Sequence, residues 1–588
     1  MKSFFQSFLG AILALVIFTG GLFVFLLIMA SAMGPKPPSA PNKAVLIFDL
    51  ERNLPDKPTE SSALDAMQNA IQGNMGQDVP LTSLIKAIDR ASDDPKISGM
   101  YITGNLNSAG PAALTELKQA LRRFTAKKPV ISYNMGYSTR DMYLCAGLGQ
   151  VILNPFGVVQ LTAPSATSPF FAKAFDKYGI QVQVTRVGKF KSAVEPFTSD
   201  KMSPENREQT RGYLDEIWNG YKTELAKGRD LAADAIQNIA DKKGILVAAE
   251  AVEEKMVDQL AHFDEVLGEL KKMAGKDVDS KDFPQIDIDA YAKIPASPQK
   301  SRNRIAVVVA EGEIVDGEGG PGEIGGDSLA RELRALRMDK NVKAVVVRVN
   351  SPGGSATASD VIQRELVALK QDRPVVVSMG NLAASGGYWI STHASHIFAE
   401  PSTITGSIGV FGMLPNAMKF ANDHGITFDT VRTADFSAPS LFRPMTEKDL
   451  ARIQVLVDSV YDSFINKVSE GRKLEPDKVR EIAQGRVWAG AKALELGLVD
   501  EMGGLDAAIR KAAELAKIEG DYRIDAPDAP KSPLERLLKA FGGSEKRKLA
   551  KAGRFEAARN ELESALRSLR SMNDPNGVYA LAPVAVVN

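Results

Sequence analysis

Residues 344–378 read AVVVRVNSPGGSATASDVIQRELVALKQDRPVVVS, and the change of pattern along them decides the fold. Ala344–Val349 is a short apolar run bounded by turn residues, as a buried strand requires. Ser359–Lys370 then carries apolar residues at helical spacing, and Pro374–Ser378 is apolar again. A helix, Leu329–Met338, precedes the first run. Strands alternating with helices predict α/β units whose strands pair mainly in parallel.

The same order is written once before. Helix Leu81–Ala91, strand Ile97–Ile102, helix Ala112–Phe124 and strand Pro129–Tyr133 match it element by element. The offset is 245 at Pro129 and Pro374 (374 − 129), 246 at Arg186 and Arg432 (432 − 186), and 242 at Asp258 and Asp500 (500 − 258). Each copy ends in a helix-rich stretch, Glu205–Lys227 and Glu447–Gly471. Ser280–Arg304, with Pro284, Pro295 and Pro298, is expected to be a linker. The fold class is therefore α/β: two tandem repeats with mainly parallel sheets, spanning 37–295 and 303–520. An N-terminal segment, 1–36, precedes them and a C-terminal tail, 521–588, follows. At the near-constant offset Ser385 falls on Arg140, Lys191 on Ser437, and Ser407 within one residue of Leu161. One copy thus holds a candidate hydroxyl nucleophile and the other a candidate amine base, so neither is expected to be catalytic alone.

Composition narrows the function. The chain has 588 residues, more than one hydrophobic core usually organises. Its 72 basic and 72 acidic residues cancel, which leaves no whole-chain footprint for nucleic acid. A single cysteine, Cys145, excludes an intrachain disulfide and a cysteine-rich zinc site. Four histidines make a histidine-built metal centre a poor expectation. Between Lys2 and Lys36 there is no charge, and Phe8–Met33 is almost wholly apolar, enough to cross a bilayer as one helix. A cleaved signal peptide ending at Ala30-Ser31-Ala32 is the rival, but the apolar run is too long for a signal core. Either reading carries the body of the chain across a membrane. Pro35–Pro41 (PKPPSAP) is a stiff spacer, and Glu545–Arg570 a basic, helix-prone stretch expected to present a solvated face. The uncharged end, Val578–Val587, follows.

Ser385 stands in Ala383-Ala384-Ser385-Gly386-Gly387-Tyr388, after the strand Pro374–Ser378 and before a helix-compatible segment. A serine on such a turn has an exposed hydroxyl over a positive helix end. Gly386, without a side chain, lets a substrate backbone approach. Gly353 and Gly354, in Ser351-Pro352-Gly353-Gly354-Ser355, can aim N–H groups at a developing oxyanion, and no Gly-Lys-Ser/Thr follows to make a nucleotide loop. The first copy has Asn105-Leu106-Asn107-Ser108-Ala109-Gly110 instead and lacks that cradle. Candidate activators of Ser385 are His393, His396 and Lys191. Lys191 serves only if desolvation lowers its pKa, and Phe190, Val194 and Phe197 are expected to form the apolar wall.

Taken together, GKFKSAVEPF, RVNSPGGSA, AASGGYW, PSTITGSIGVFG and QGRVWAGAKALELGLVDEMGG resemble the long-form bacterial signal peptide peptidase (protease IV) family of the Clp-protease/crotonase-like superfamily. The resemblance covers roughly residues 1–520. It implies a serine peptidase with Ser385 as nucleophile, Lys191 as general base and Ser407 as the helper that holds the lysine. It further implies an oxyanion hole from Gly354 and the Ser385 N–H, with Gly353 and Gly386 lining the substrate approach. No metal or organic cofactor is implied. The implied substrates are cleaved signal peptides and other hydrophobic peptides. The implied setting is the bacterial inner membrane, single-pass, with a periplasmic body assembled as a homotetramer. The competing readings are a crotonase-type acyl-CoA enzyme, a non-catalytic membrane scaffold and a Ser385–histidine hydrolase. The apolar end around Tyr579–Val587 itself resembles a peptide substrate, which raises self-binding or self-trimming as a hypothesis.

Overall fold

The computed structural model describes residues 39–57, 79–106, 109–295, 301–436, 439–525, 572–574, 577–583 and 586–587. The apolar span Phe8–Met33, the basic stretch Glu545–Arg570 and Ser437 lie outside the described residues. Among the described residues no helix is long and apolar enough to cross a membrane.

Two large sheets share one plan. The first runs Ile245–Val247, Gln150–Gln160, Val130–Tyr137, Ile97–Thr103, Ala44–Asp49, Gln285–Asp287, with Gln259–Leu260 beside Gln150–Gln160. The second runs Val487–Ala489, Ile404–Gly406, Val375–Ala384, Val342–Ser351, Arg304–Glu311, Arg523–Asp525, with His396–Ala399 and Glu501–Met502 alongside. The pairings are parallel except at the short edge strands Ile245–Val247 and Val487–Ala489. Parallel strands need crossovers, and the helices Leu81–Asp93 and Pro111–Thr125, like Gly326–Met338 and Ala356–Asp372, supply them. Their buried faces, such as Leu84, Ile88, Leu117 and Leu121 or Ile362, Leu366 and Leu369, fill the core against the sheets.

The duplication extends to single side chains. Arg229 grips the Asp258 carboxylate with two guanidinium nitrogens (2.7 and 3.1 Å), and Arg472 grips Asp500 likewise (2.5 and 3.0 Å). Each aspartate also accepts from a strand N–H, Val151 at 2.7 Å and Ile397 at 2.8 Å.

Three expectations change. The stretch 280–304 is not a bare linker: Gln285–Asp287 adds a parallel strand beside Ala44–Asp49, and Ile288–Ala292 is helical. Its strand is too short to show a period-two pattern, and its partner lies far upstream. The tail is not separate from the body either, because Val578–Leu581 is a strand within a third sheet. Finally, Ser385 does not correspond to Arg140. Strand Val375–Ala384 is longer than Val130–Tyr137, and both carry register irregularities, so its last residue Ala384 matches Tyr137. The counterpart of Ser385 is Ser138, the N-cap of helix Thr139–Cys145. That serine is spent locally: its hydroxyl donates to the Asp141 carboxylate (2.7 Å) and accepts from the Asp141 N–H (3.3 Å).

The third sheet joins the two halves. Its order is Glu323–Gly325, Glu313–Val315, Gly353–Ser355, Val578–Leu581, Val410–Asn416, Gln181–Val187. Gln181–Val187 comes from the first half and pairs antiparallel with Val410–Asn416 of the second, Val187 opposite Val410.

Candidate active site

That register sets the chemistry. Lys191 follows shortly after Val187 and Ser407 shortly precedes Val410, so the antiparallel pair delivers both to one point. Ser385 arrives from the second sheet, at the end of Val375–Ala384, where Ala384 pairs with Gly406. The turn forces Ser385 to φ 54°, ψ −112°, and Ser407 to φ 52°. Such conformations cost a non-glycine residue on the order of 1–3 kcal/mol and persist only where surrounding contacts over-determine them. Here helix Gly386–Ser391 begins immediately after, and the Trp389 N–H donates to the Ser385 carbonyl at 2.7 Å.

The Lys191 Nζ lies 2.8 Å from the Ser385 Oγ and 3.2 Å from both the Oγ and the carbonyl oxygen of Ser407. All three side chains are fully buried. Burial pushes the Lys191 amine well below its ordinary pKa, with no carboxylate beside it to restore the charge. Close packing makes this possible: Gly485, at φ 75°, sits so near that a side chain there would meet the Lys191 Cβ at 2.6 Å. The lysine backbone is held from the other side by helix Pro204–Arg229, whose Gln209 amide donates to the Phe190 carbonyl (3.0 Å) and the Ser192 hydroxyl (2.8 Å). Of the expected apolar wall, Val194 and Phe197 form a buried cluster with Phe411. Phe190 instead lies under the Arg486 guanidinium, 4.6 Å from its centroid.

The histidines are elsewhere. His393 contacts Gln363 and Thr392 through Nδ1, and His396 contacts Glu501 through Nε2. The expected oxyanion donor at Ser385 also needs correction. Its N–H completes the strand ladder by donating to the Gly406 carbonyl at 2.8 Å and is therefore occupied. The next N–H, that of Gly386, opens the helix and has no acceptor within it. It faces Gly353, where a Cβ would lie 2.5 Å from the Gly386 nitrogen.

Sequence reasoning missed a buried charge cluster. Arg348, fully buried in strand Val342–Ser351, donates to Asp56 (2.9 Å), Glu116 (2.6 Å) and the Ser378 hydroxyl (2.9 Å). Burial opposes its charge, but Asp56 and Glu116 outweigh that and hold its pKa above the ordinary value. Asp56 and Glu116 belong to the first half, so this triad rivets the halves together on the strand that leads to the Pro352-Gly353-Gly354 turn. Glu116 also accepts from the Leu505 N–H (2.9 Å). The available signal was one arginine inside an otherwise apolar strand, a placement that demands buried partners.

Nearby Glu400 has its pKa pushed up to about 8 by burial and then by Glu116, against the pull of Arg348. The folded protein therefore keeps this proton to a higher pH than the unfolded chain. Stability is accordingly lost as pH rises from the ordinary carboxylate range through about 8. Glu400→Gln should raise the melting temperature by a few degrees at pH 9 and leave it nearly unchanged at pH 4. A lower melting temperature for the variant at pH 9 would contradict this.

Fold and site together define a hydrolase whose buried hydroxyl and amine come from different halves of one chain. The signature of peptidase family S49 matches residues 122–278 and 367–519. The chain is 35% identical to "Protease 4" of Salmonella typhi over 92% of its length and 90% of that protein's. It is 34% identical to "Protease 4" of Haemophilus influenzae over 96% and 95%. It is 28% identical to "Serine protease SPPA, chloroplastic" of Arabidopsis thaliana over 81% and 72%. Among solved structures, a ClpP1 mutant from Listeria monocytogenes matches 34% of this chain and 94% of its own at 14% identity and a TM-score of 0.24. The chain belongs to peptidase family S49 and is a serine peptidase.

Proposed function

We propose that Ser385 and Lys191 are a catalytic dyad cleaving hydrophobic peptides, foremost the remnants of cleaved signal peptides. The observation that carries this reading is the 2.8 Å contact between a fully buried amine and the Ser385 hydroxyl. Neutral Lys191 takes the Ser385 proton as Oγ bonds to the substrate carbonyl carbon, and the carbonyl electrons move onto oxygen. N–H groups of Gly354 and Gly386 stabilise that oxyanion, in place of the pairing first expected from Gly354 and Ser385. The carbon–nitrogen bond then breaks and the leaving amine takes the proton from Lys191. A water next gives a proton to Lys191 as its oxygen bonds to the acyl carbon, and the ester bond breaks with that proton returning from Lys191 to Ser385 Oγ. Ser407 keeps the lysine aimed at Ser385. Units 37–295 and 303–520 each supply one dyad member.

An apolar span at Phe8–Met33 anchors the enzyme in the inner membrane with the body on the periplasmic side, beside the peptides it degrades. A homotetramer restricts entry to unfolded chains. A serine-reactive acylating probe tests the chemistry: it should modify Ser385 alone, identified by peptide mass spectrometry. Labelling and kcat/KM should both rise with pH through the lowered lysine value and then level off, since only the neutral amine accepts a proton. A rate that falls as pH rises from 6 to 9 would remove Lys191 as the base.

A further inference from the structure

The third sheet contains a strand from the tail, outside both repeats. Val578–Leu581 runs antiparallel to Gly353–Ser355 on one side and antiparallel to Val410–Asn416 on the other. Gly353 stands opposite Leu581, Gly354 opposite Ala580, and Phe411 opposite Tyr579. The Ala582 N–H continues the ladder by donating to the Pro352 carbonyl at 2.8 Å. The two flanking strands pair with this segment and not with each other. Removing it leaves a slot one strand wide with hydrogen-bonding edges on both sides, the shape that captures an extended peptide.

The slot passes beside Gly386, the residue next to Ser385: a Cβ at Gly386 would lie 3.1 Å from the Ala580 carbonyl oxygen. An ideal Cβ at Gly353 would lie 2.0 Å from the Ala580 carbonyl oxygen and 2.5 Å from the Gly386 nitrogen, so only glycine at 353 lets this backbone in. Side chains alternate as on any strand. Tyr579 and Leu581 join Val194, Phe197, Phe411 and Met413, while Val578 and Ala580 enter the core of the second half. Ala580 is fully buried within the core of the second half.

The segment is also tethered. Asn573 accepts from the Asp316 N–H (2.8 Å) and donates to the Asp316 carbonyl (3.1 Å). Asp574, itself buried, accepts from the Ser355 hydroxyl (2.6 Å) and the Thr357 N–H (3.0 Å), closing the start of helix Ala356–Asp372. Gly577, at φ 66°, then turns the chain into the slot.

We propose that residues 578–582 are a built-in competitor occupying the peptide-binding slot. They also report what it accepts: an extended apolar peptide with large side chains flanking a small one, in the order of Tyr579, Ala580 and Leu581. This rests on the dyad reading, because the slot matters only if Ser385 and Lys191 act beside it. Binding of this kind breaks no bond.

Turnover of an internally quenched apolar peptide tests it in the full chain and in a chain ended after residue 571. Removing the competitor should raise kcat/KM about tenfold or more, through a lower KM, because apparent affinity scales with the open fraction. The synthetic peptide MNDPNGVYALAP, residues 572–583, should inhibit the shortened enzyme competitively. Full-length Ala580→Arg, which cannot fit the buried position, should gain activity in the same direction even if the shortened chain folds poorly. Unchanged KM in both variants, with no inhibition by the peptide, overturns the proposal. Ser385→Ala in the shortened chain separates the two readings: lost turnover there leaves the dyad standing when the competitor fails, whereas retained turnover removes both.

Discussion

Lys191→Met should lower kcat/KM for peptide hydrolysis by at least about 10³-fold while leaving the folded protein as stable as before or more so. The side chain is wholly buried and gains no compensating carboxylate, so the amine contributes little to stability that a thioether of similar length would lose. What disappears is, among the described residues, the one group within hydrogen-bond reach of Ser385 Oγ able to accept its proton. Ser385→Ala should cost a similar factor, and the double variant hardly more, since the two residues act as one unit. Initial rates with saturating and limiting peptide, beside thermal melts of all three variants, give the answer. A single variant that keeps a tenth of the activity would end the dyad assignment.

Arg348→Met should destabilise the protein by about 3–5 kcal/mol, the cost of stranding buried carboxylates without their cation. Asp56 and Glu116 are both nearly inaccessible, and Glu116 reaches the Leu505 backbone as well, so neither can turn to water without disturbing both halves. The loss should extend to catalysis. Arg348 lies on the strand that leads into Gly353–Gly354, and the ion triad fixes that strand against helix Pro111–Thr125, which carries Glu116. A triple variant, Arg348→Met with Asp56→Asn and Glu116→Gln, should recover much of the stability, because no charge is then left unpaired. Urea unfolding of the single and triple variants measures this. A cost below about 1 kcal/mol for the single change would show that the triad is solvated enough to be dispensable.

Much of the framework was legible in the sequence because it rests on local pattern. The helices around 81–93, 111–125 and 356–372 and the strands around 97–103 and 342–351 declare themselves by period and by flanking glycine or proline. Lys191 and Ser385 were singled out by complementary loss between the copies and by resemblance, and the structure brings them within hydrogen-bond reach. What was not legible depends on partners distant in the chain. The strand Gln285–Asp287 exists because Ala44–Asp49 is there to pair with it, and Val578–Leu581 because two edges wait for it. The equivalence of Ser385 with Arg140 failed since a constant offset cannot register the irregularities that lengthen one strand. The Ser385 N–H was misassigned for a related reason: whether a backbone donor is free depends on the neighbouring strand, here ending at Gly406.

The crossing of Gln181–Val187 onto Val410–Asn416 has one more consequence, in time rather than in space. Lys191 and Ser385 are separated by 194 positions, and a chain made from its N-terminus presents the lysine long before its partner exists. Contacts of such separation form late in folding. The contact between the two side chains therefore cannot form until most of the second half has been synthesised and docked. The tail strand follows both of its flanking strands in the chain, so the slot exists before the segment that fills it.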